Sequence, residues 1–188
     1  VDALVPAFLA ALVAEFGDKT QLLVILLATR FGRPGAVLGA VAVAALVNGL
    51  IAAVGGALLT HVIPFRALNL LLALALIFAG SGALLPSKPP RVGIYDRLGP
   101  FAASLLAFFV LEFGDKTQFV TFAIAARSHT PLLAAAGAAA GIVAASLPAV
   151  ALGAELPRTV RLRTIRLAVG VLLIGVGIVA ALSALRLW

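Results

Sequence analysis

The seven residues Glu-Phe-Gly-Asp-Lys-Thr-Gln at positions 15–21 recur unchanged at positions 112–118, 97 residues further along the chain. The same offset pairs Leu9 and Ala10 with Leu106 and Ala107, Val13 with Val110, Ala28 with Ala125 and Arg30 with Arg127. It continues through Pro34 and Pro131, Gly56 and Gly153, Arg66 and Arg163, and Gly80 and Gly177. Matches of Ala, Leu or Val carry little weight in a biased sequence. Seven consecutive identities, four of them charged or amide residues, require a duplication.

The surroundings of both copies are apolar. The chain is 63% hydrophobic and 11% charged, with a mean hydropathy of +1.21. A soluble domain of this size needs more polar surface. The apolar stretches are ~20 residues long, the length of a membrane helix rather than of a barrel strand. Six fit, at 4–28, 35–60, 67–85, 101–126, 132–154 and 166–187. The first lacks a basic leader and holds Glu15, Asp18 and Lys19 at its centre, so it reads as a retained helix and not a signal peptide. Little chain remains for a soluble catalytic domain, so an enzyme is not expected. The pI near 11.4 does not imply nucleic acid, because the basic residues lie in short loops between apolar spans.

The expected fold class is an all-α membrane protein of six transmembrane helices in two inverted three-helix repeats. Residues 1–86 form the first repeat, 87–99 a cytoplasmic linker and 100–188 the second repeat. Three crossings per copy would make the second enter from the opposite face, bringing both motifs together at mid-depth. Arg30, Arg33, Lys88, Arg91, Arg97, Arg158, Arg161, Arg163 and Arg166 fall on one side of these spans, and only Arg66, Arg127 and Arg186 on the other. That bias puts both termini outside and the central loop in the cytoplasm of an inner (plasma) membrane protein. Tyr95 is an expected interface residue of the Pro-rich connector 86–100. The arginines from Arg158 to Arg166 are expected at a cytoplasmic edge touching anionic lipid.

Four of the seven acidic residues, Glu15, Asp18, Glu112 and Asp115, lie in the two motifs. A charge at mid-helix costs ~2.5–3.5 kcal/mol, so the six charged motif residues together cost on the order of 15–20 kcal/mol before pairing. On continuous helices Glu15 and Lys19, and Glu112 and Lys116, share a face in the favourable order. Pairing still leaves four carboxylates against two ammonium groups, a charge that one divalent cation or two protons would cancel. Glu15, Asp18 and Gln21 step by three residues, as do Glu112, Asp115 and Gln118, offering two stripes of carboxylate and amide oxygens. Such donors suit Ca²⁺, Mn²⁺ or Mg²⁺, and the absence of Cys and Met excludes thiolate and thioether sites.

Other motif positions admit two readings. Gly17 and Gly114 allow close helix approach or local unwinding. Thr20 and Thr117 supply accessory hydroxyls or bond back to a helix carbonyl. Lys19 and Lys116 are two of only three lysines among fourteen basic residues, which fits resident counterions that yield to a metal. Asn48 reaches the site or makes an interhelical hydrogen bond, and Pro148 is expected to kink the fifth span. His61 and His129 lie at span ends, and Ala134–Gly141 reads as a close-packing surface.

The two Glu-Phe-Gly-Asp-Lys-Thr copies resemble the E-x-G-D-[KR]-[ST] signature of the Gdt family of cation/proton exchangers, within the lysine-exporter-like superfamily. The resemblance extends over essentially the whole chain. It implies exchange of Mn²⁺ or Ca²⁺ for protons, with the cation as substrate and no cofactor. It also implies ligand roles for Glu15, Asp18, Glu112 and Asp115, with Thr20, Gln21, Thr117 and Gln118 as accessory groups. The preference for Mn²⁺ export comes from the bacterial branch of that family. An uncoupled cation channel and an exporter of cationic amino acids are the rival readings. Expected partners are lipid, divalent cations and protons, with monomer and homodimer both open.

Overall fold

The apolar runs form helices, and breaks between them fall at glycines with positive φ, among them Gly17, Gly32 and Gly114. The computed structural model describes residues 2–86 and 98–186. The linker expected over 87–99, with Lys88, Arg91, Tyr95 and Arg97, lies almost wholly outside the described residues. Helix α1 (Leu4–Glu15) is followed by α2 (Lys19–Phe31), α3 (Pro34–Thr60) and α4 (Phe65–Leu84). The second half gives α5 (Gly99–Glu112), α6 (Lys116–Ala126) and α7 (Pro131–Leu152). A 3₁₀ turn at Gly153–Glu155 and the single-turn α8 (Leu156–Thr159) then precede α9 (Leu162–Leu185).

This order corrects the expected six transmembrane helices in two inverted three-helix repeats. Among the described residues, four helices are long and apolar enough to cross a bilayer: α3, α4, α7 and α9. The spans expected at 4–28 and 101–126 are each two shorter helices. Phe16 leaves helical geometry at φ −64°, ψ 123°, Gly17 takes φ +75°, and Asp18 is extended at φ −86°, ψ 174°. Phe113, Gly114 and Asp115 repeat this with φ −64°, +74° and −78°. Only glycine enters the left-handed region without a Cβ penalty, so each motif carries its own helix break. Pro148 lies within α7, which continues past it to Leu152.

Small residues set how the helices meet. The long α3 runs along α5 and α6: Gly39 faces Phe101, Asn48 Nδ2 donates to Phe109 O at 3.3 Å, and Gly56 abuts Ala125 and Ala126. In the same way α7 runs along α1 and α2, from Gly137 against Leu4 through Gly141 against Ala11 to Gly153 beside Thr29. A Cβ at Gly49 would lie 3.1 Å from Ala135 O, where α3 and α7 cross. Each half thus braces the other's broken helices and turns the two breaks toward each other. Helices α4 and α9 form an antiparallel pair, with Gly80 against Gly170 and Gly177 against Ala73. Outward-facing Val171, Leu172, Val176, Ile178 and Val179 give α9 an apolar face for lipid.

Candidate cation site

The breaks decide where the charges go. Glu15 ends α1 and Glu112 ends α5, while Asp18 and Asp115 precede the first residues of α2 and α6. An Asp in that position ordinarily caps the helix by accepting a backbone N–H. Neither does so here, which leaves both carboxylates available to other partners. Oxygens of Glu15, Glu112 and Asp115 lie within 4.8 Å of one another. Asp18, the fourth acid, bonds directly to Lys116.

Among the described residues, neither lysine makes the i, i+4 pair with the Glu of its own motif that a continuous helix would give. Lys116 Nζ contacts Asp18, lies 3.4 Å from Asp115 Oδ2 and is 3.9 Å from Glu15 Oε1. Lys19 Nζ crosses in the other direction to Asp115 Oδ1 at 2.7 Å. The break between each Glu and the Lys four residues on removes the helical register on which an i, i+4 pair depends.

The two glutamates differ. Thr20 Oγ1 donates to Glu15 Oε2, and Thr117 Oγ1 donates across the halves to Glu15 Oε1 at 2.5 Å. Glu112 is 1% exposed, and among the described residues neither of its oxygens has a hydrogen-bond donor. A buried carboxyl without donors is costly, and a cation held jointly with Glu15 and Asp115 would relieve that cost.

The amides close the breaks. Gln21 Oε1 accepts the Gly17 N–H at 2.9 Å while its Nε2 donates to Ala145 O at 2.9 Å. Gln118 Oε1 accepts the Gly114 N–H at 2.6 Å, and its Nε2 donates to Asn48 O at 3.2 Å. Asn48 and Ala145 are equivalent positions of the duplication, so the shared element is the carbonyl rather than the side chain. Sequence reasoning missed Ala145 for that reason. The available signal was the Gln four residues beyond each Gly.

A cavity of about 310 Å³ beside the breaks is lined by Asp18, Lys19, Asp115 and Lys116, with Phe78 and Gly82 of α4 and Leu85 and Pro86 just beyond it. Side-chain exposure falls from 32% at Lys19 and 13% at Asp115 to 8% at Asp18 and 3% at Glu15. Lys19 thus stands at the exposed side of the cavity and Asp18 at its buried side. The first break is sealed instead: a Cβ at Gly17 would stand 2.5 Å from Leu162 O and 3.2 Å from Arg166 Cβ, whereas Gly114 faces open space. Arg166 is thus buried against the first motif, not at the lipid edge expected for it. His61 and His129 are exposed at helix ends.

The model of the divalent cation/proton antiporter GDT1 family matches residues 3–90 and again 100–187, one motif copy in each match. The chain belongs to the GDT1 family. It is a multi-pass membrane protein and a secondary transporter of divalent cations, and the family's activity is transport, not enzymatic conversion. A putative manganese exporter of Vibrio cholerae is 35% identical over 141 residues, 74% of this chain and 70% of the relative. No solved structure matches. In this GDT1-family chain the duplicated signature thus coincides with the paired helix breaks and the buried acids.

Proposed function

We propose that this chain exports Mn²⁺ from the cytoplasm in exchange for protons, with Ca²⁺ as an alternative substrate. The observation that carries this reading is Glu112, whose buried, donorless oxygens lie beside those of Glu15 and Asp115. The preference for Mn²⁺ follows the Vibrio cholerae relative, since carboxylate and hydroxyl oxygens accept Ca²⁺ as well. Glu15, Glu112, Asp115 and Asp18 hold the ion. Thr20 and Thr117 orient Glu15, and Gln21 and Gln118 brace the breaks by accepting the glycine N–H groups. Asn48 anchors Gln118.

Coupling follows from shared ligands. The same carboxylates hold either a divalent ion or protons, so protons arriving from one side displace the metal delivered from the other. Four acids against two lysines leave room for one divalent ion or two protons.

Proteoliposomes preloaded with Mn²⁺ provide the test. An imposed inward proton gradient should accelerate efflux, and an added metal gradient should drive proton movement in return. Metal flux indifferent to the pH gradient would reject exchange in favour of a channel.

A further inference from the structure

The two motifs are identical in sequence, yet their lysines stand in different places. Lys116 is buried among carboxylates from both halves: it contacts Asp18 and lies 3.4 Å from Asp115 and 3.9 Å from Glu15. Among the described residues Lys19 pairs only with Asp115, and it keeps 32% side-chain exposure. We infer that Lys116 sets the valence selectivity of the site, acting as a tethered monovalent cation that an incoming ion must displace. This rests on the reading that the clustered acids bind the transported ion.

The argument is one of charge. Coulomb attraction scales with the product of the charges. A monovalent ion that displaces the ammonium replaces one positive charge by another and forfeits the ammonium's contacts. A divalent ion brings a second charge to the same carboxylates and also reaches Glu112, which the ammonium leaves without a donor. Tethering keeps the competitor at a high effective concentration, so free Na⁺ or K⁺ cannot outnumber it. Lysine suits this task because its charge is compact and rides on a flexible stem. The open space beside Gly114, adjoining the same cavity, gives the displaced stem somewhere to go.

Mn²⁺ binding to the full chain in lipid nanodiscs should be measured while Na⁺ replaces N-methylglucamine at constant ionic strength. Wild-type affinity should be insensitive to the exchange. In Lys116→Gln, affinity should fall about tenfold as Na⁺ rises. Lys116→Arg should restore insensitivity. Sodium competition in the wild type would overturn the inference whether or not any variant folds. So would a Lys116→Gln protein as indifferent to Na⁺ as wild type, or equal Na⁺ sensitivity in Lys19→Gln. Glu112→Gln reports separately on the underlying site: unchanged Mn²⁺ binding there would reject the site itself, whatever the valence result.

Discussion

Glu15 and Glu112 hold equivalent places in the duplicated motif but have opposite surroundings. Glu15 accepts two threonine hydroxyls, whereas Glu112 accepts none. Two substitutions should therefore part company in metal-free buffer. Glu15→Gln discards charge-assisted hydrogen bonds and should destabilise by about 1–3 kcal/mol. Glu112→Gln removes a carboxyl that lacks donors, and its midpoint should stay level or rise. Thermal unfolding in detergent checks the pair, and a larger loss in Glu112→Gln would contradict the assignment. Both substitutions should weaken Mn²⁺ binding by about 100-fold, the scale of one lost charge-assisted contact, in a direct titration. At this scale the sequence singled out the motif acids, because four of seven acids in so apolar a chain have few structural reasons to be there, and oxygens of Glu15, Glu112 and Asp115 do converge. It was uninformative about partners. The expected Glu15–Lys19 and Glu112–Lys116 contacts presupposed continuous helices, and both lysines instead reach into the other half.

The helix break is the element that rearranges those partners. Gly17 and Gly114 have nearly the same positive φ, so alanine at either should cost about 1–2 kcal/mol from backbone conformation. Gly17→Ala also meets Leu162 O at 2.5 Å, whereas Gly114→Ala meets nothing. Gly17→Ala should accordingly unfold at the lower temperature, and equal midpoints would argue that Leu162 yields freely. Gln21→Ala should destabilise by about 1–3 kcal/mol, since it strands the buried Gly17 N–H, and Gln118→Ala should cost less, since the Gly114 N–H is exposed. The break was hard to read from sequence because hydrophobicity runs on through it. Glycine alone admitted close approach and unwinding equally. The Asp that follows and the Gln four residues on become decisive only once their backbone partners are seen.

At the scale of the molecule, the halves interlock: α3 braces α5 and α6, and α7 braces α1 and α2. Residues 1–97 and 98–188 produced as separate chains should therefore each fail to bind Mn²⁺, and co-expression should restore binding in a pull-down eluate. Binding by one half alone would contradict a shared site. The membrane class and the duplication were legible in composition and repeat, while the number of long helices was not, because apolar length counts residues without seeing where the backbone turns. The donor set around the breaks has a further consequence. It consists of carboxylate and hydroxyl oxygens, in a chain with neither Cys nor Met. No side chain stands on the sulfur oxidation ladder that peroxide climbs. A cation held as proposed, by these oxygens, would keep its ligands through oxidative stress that disables a thiolate site.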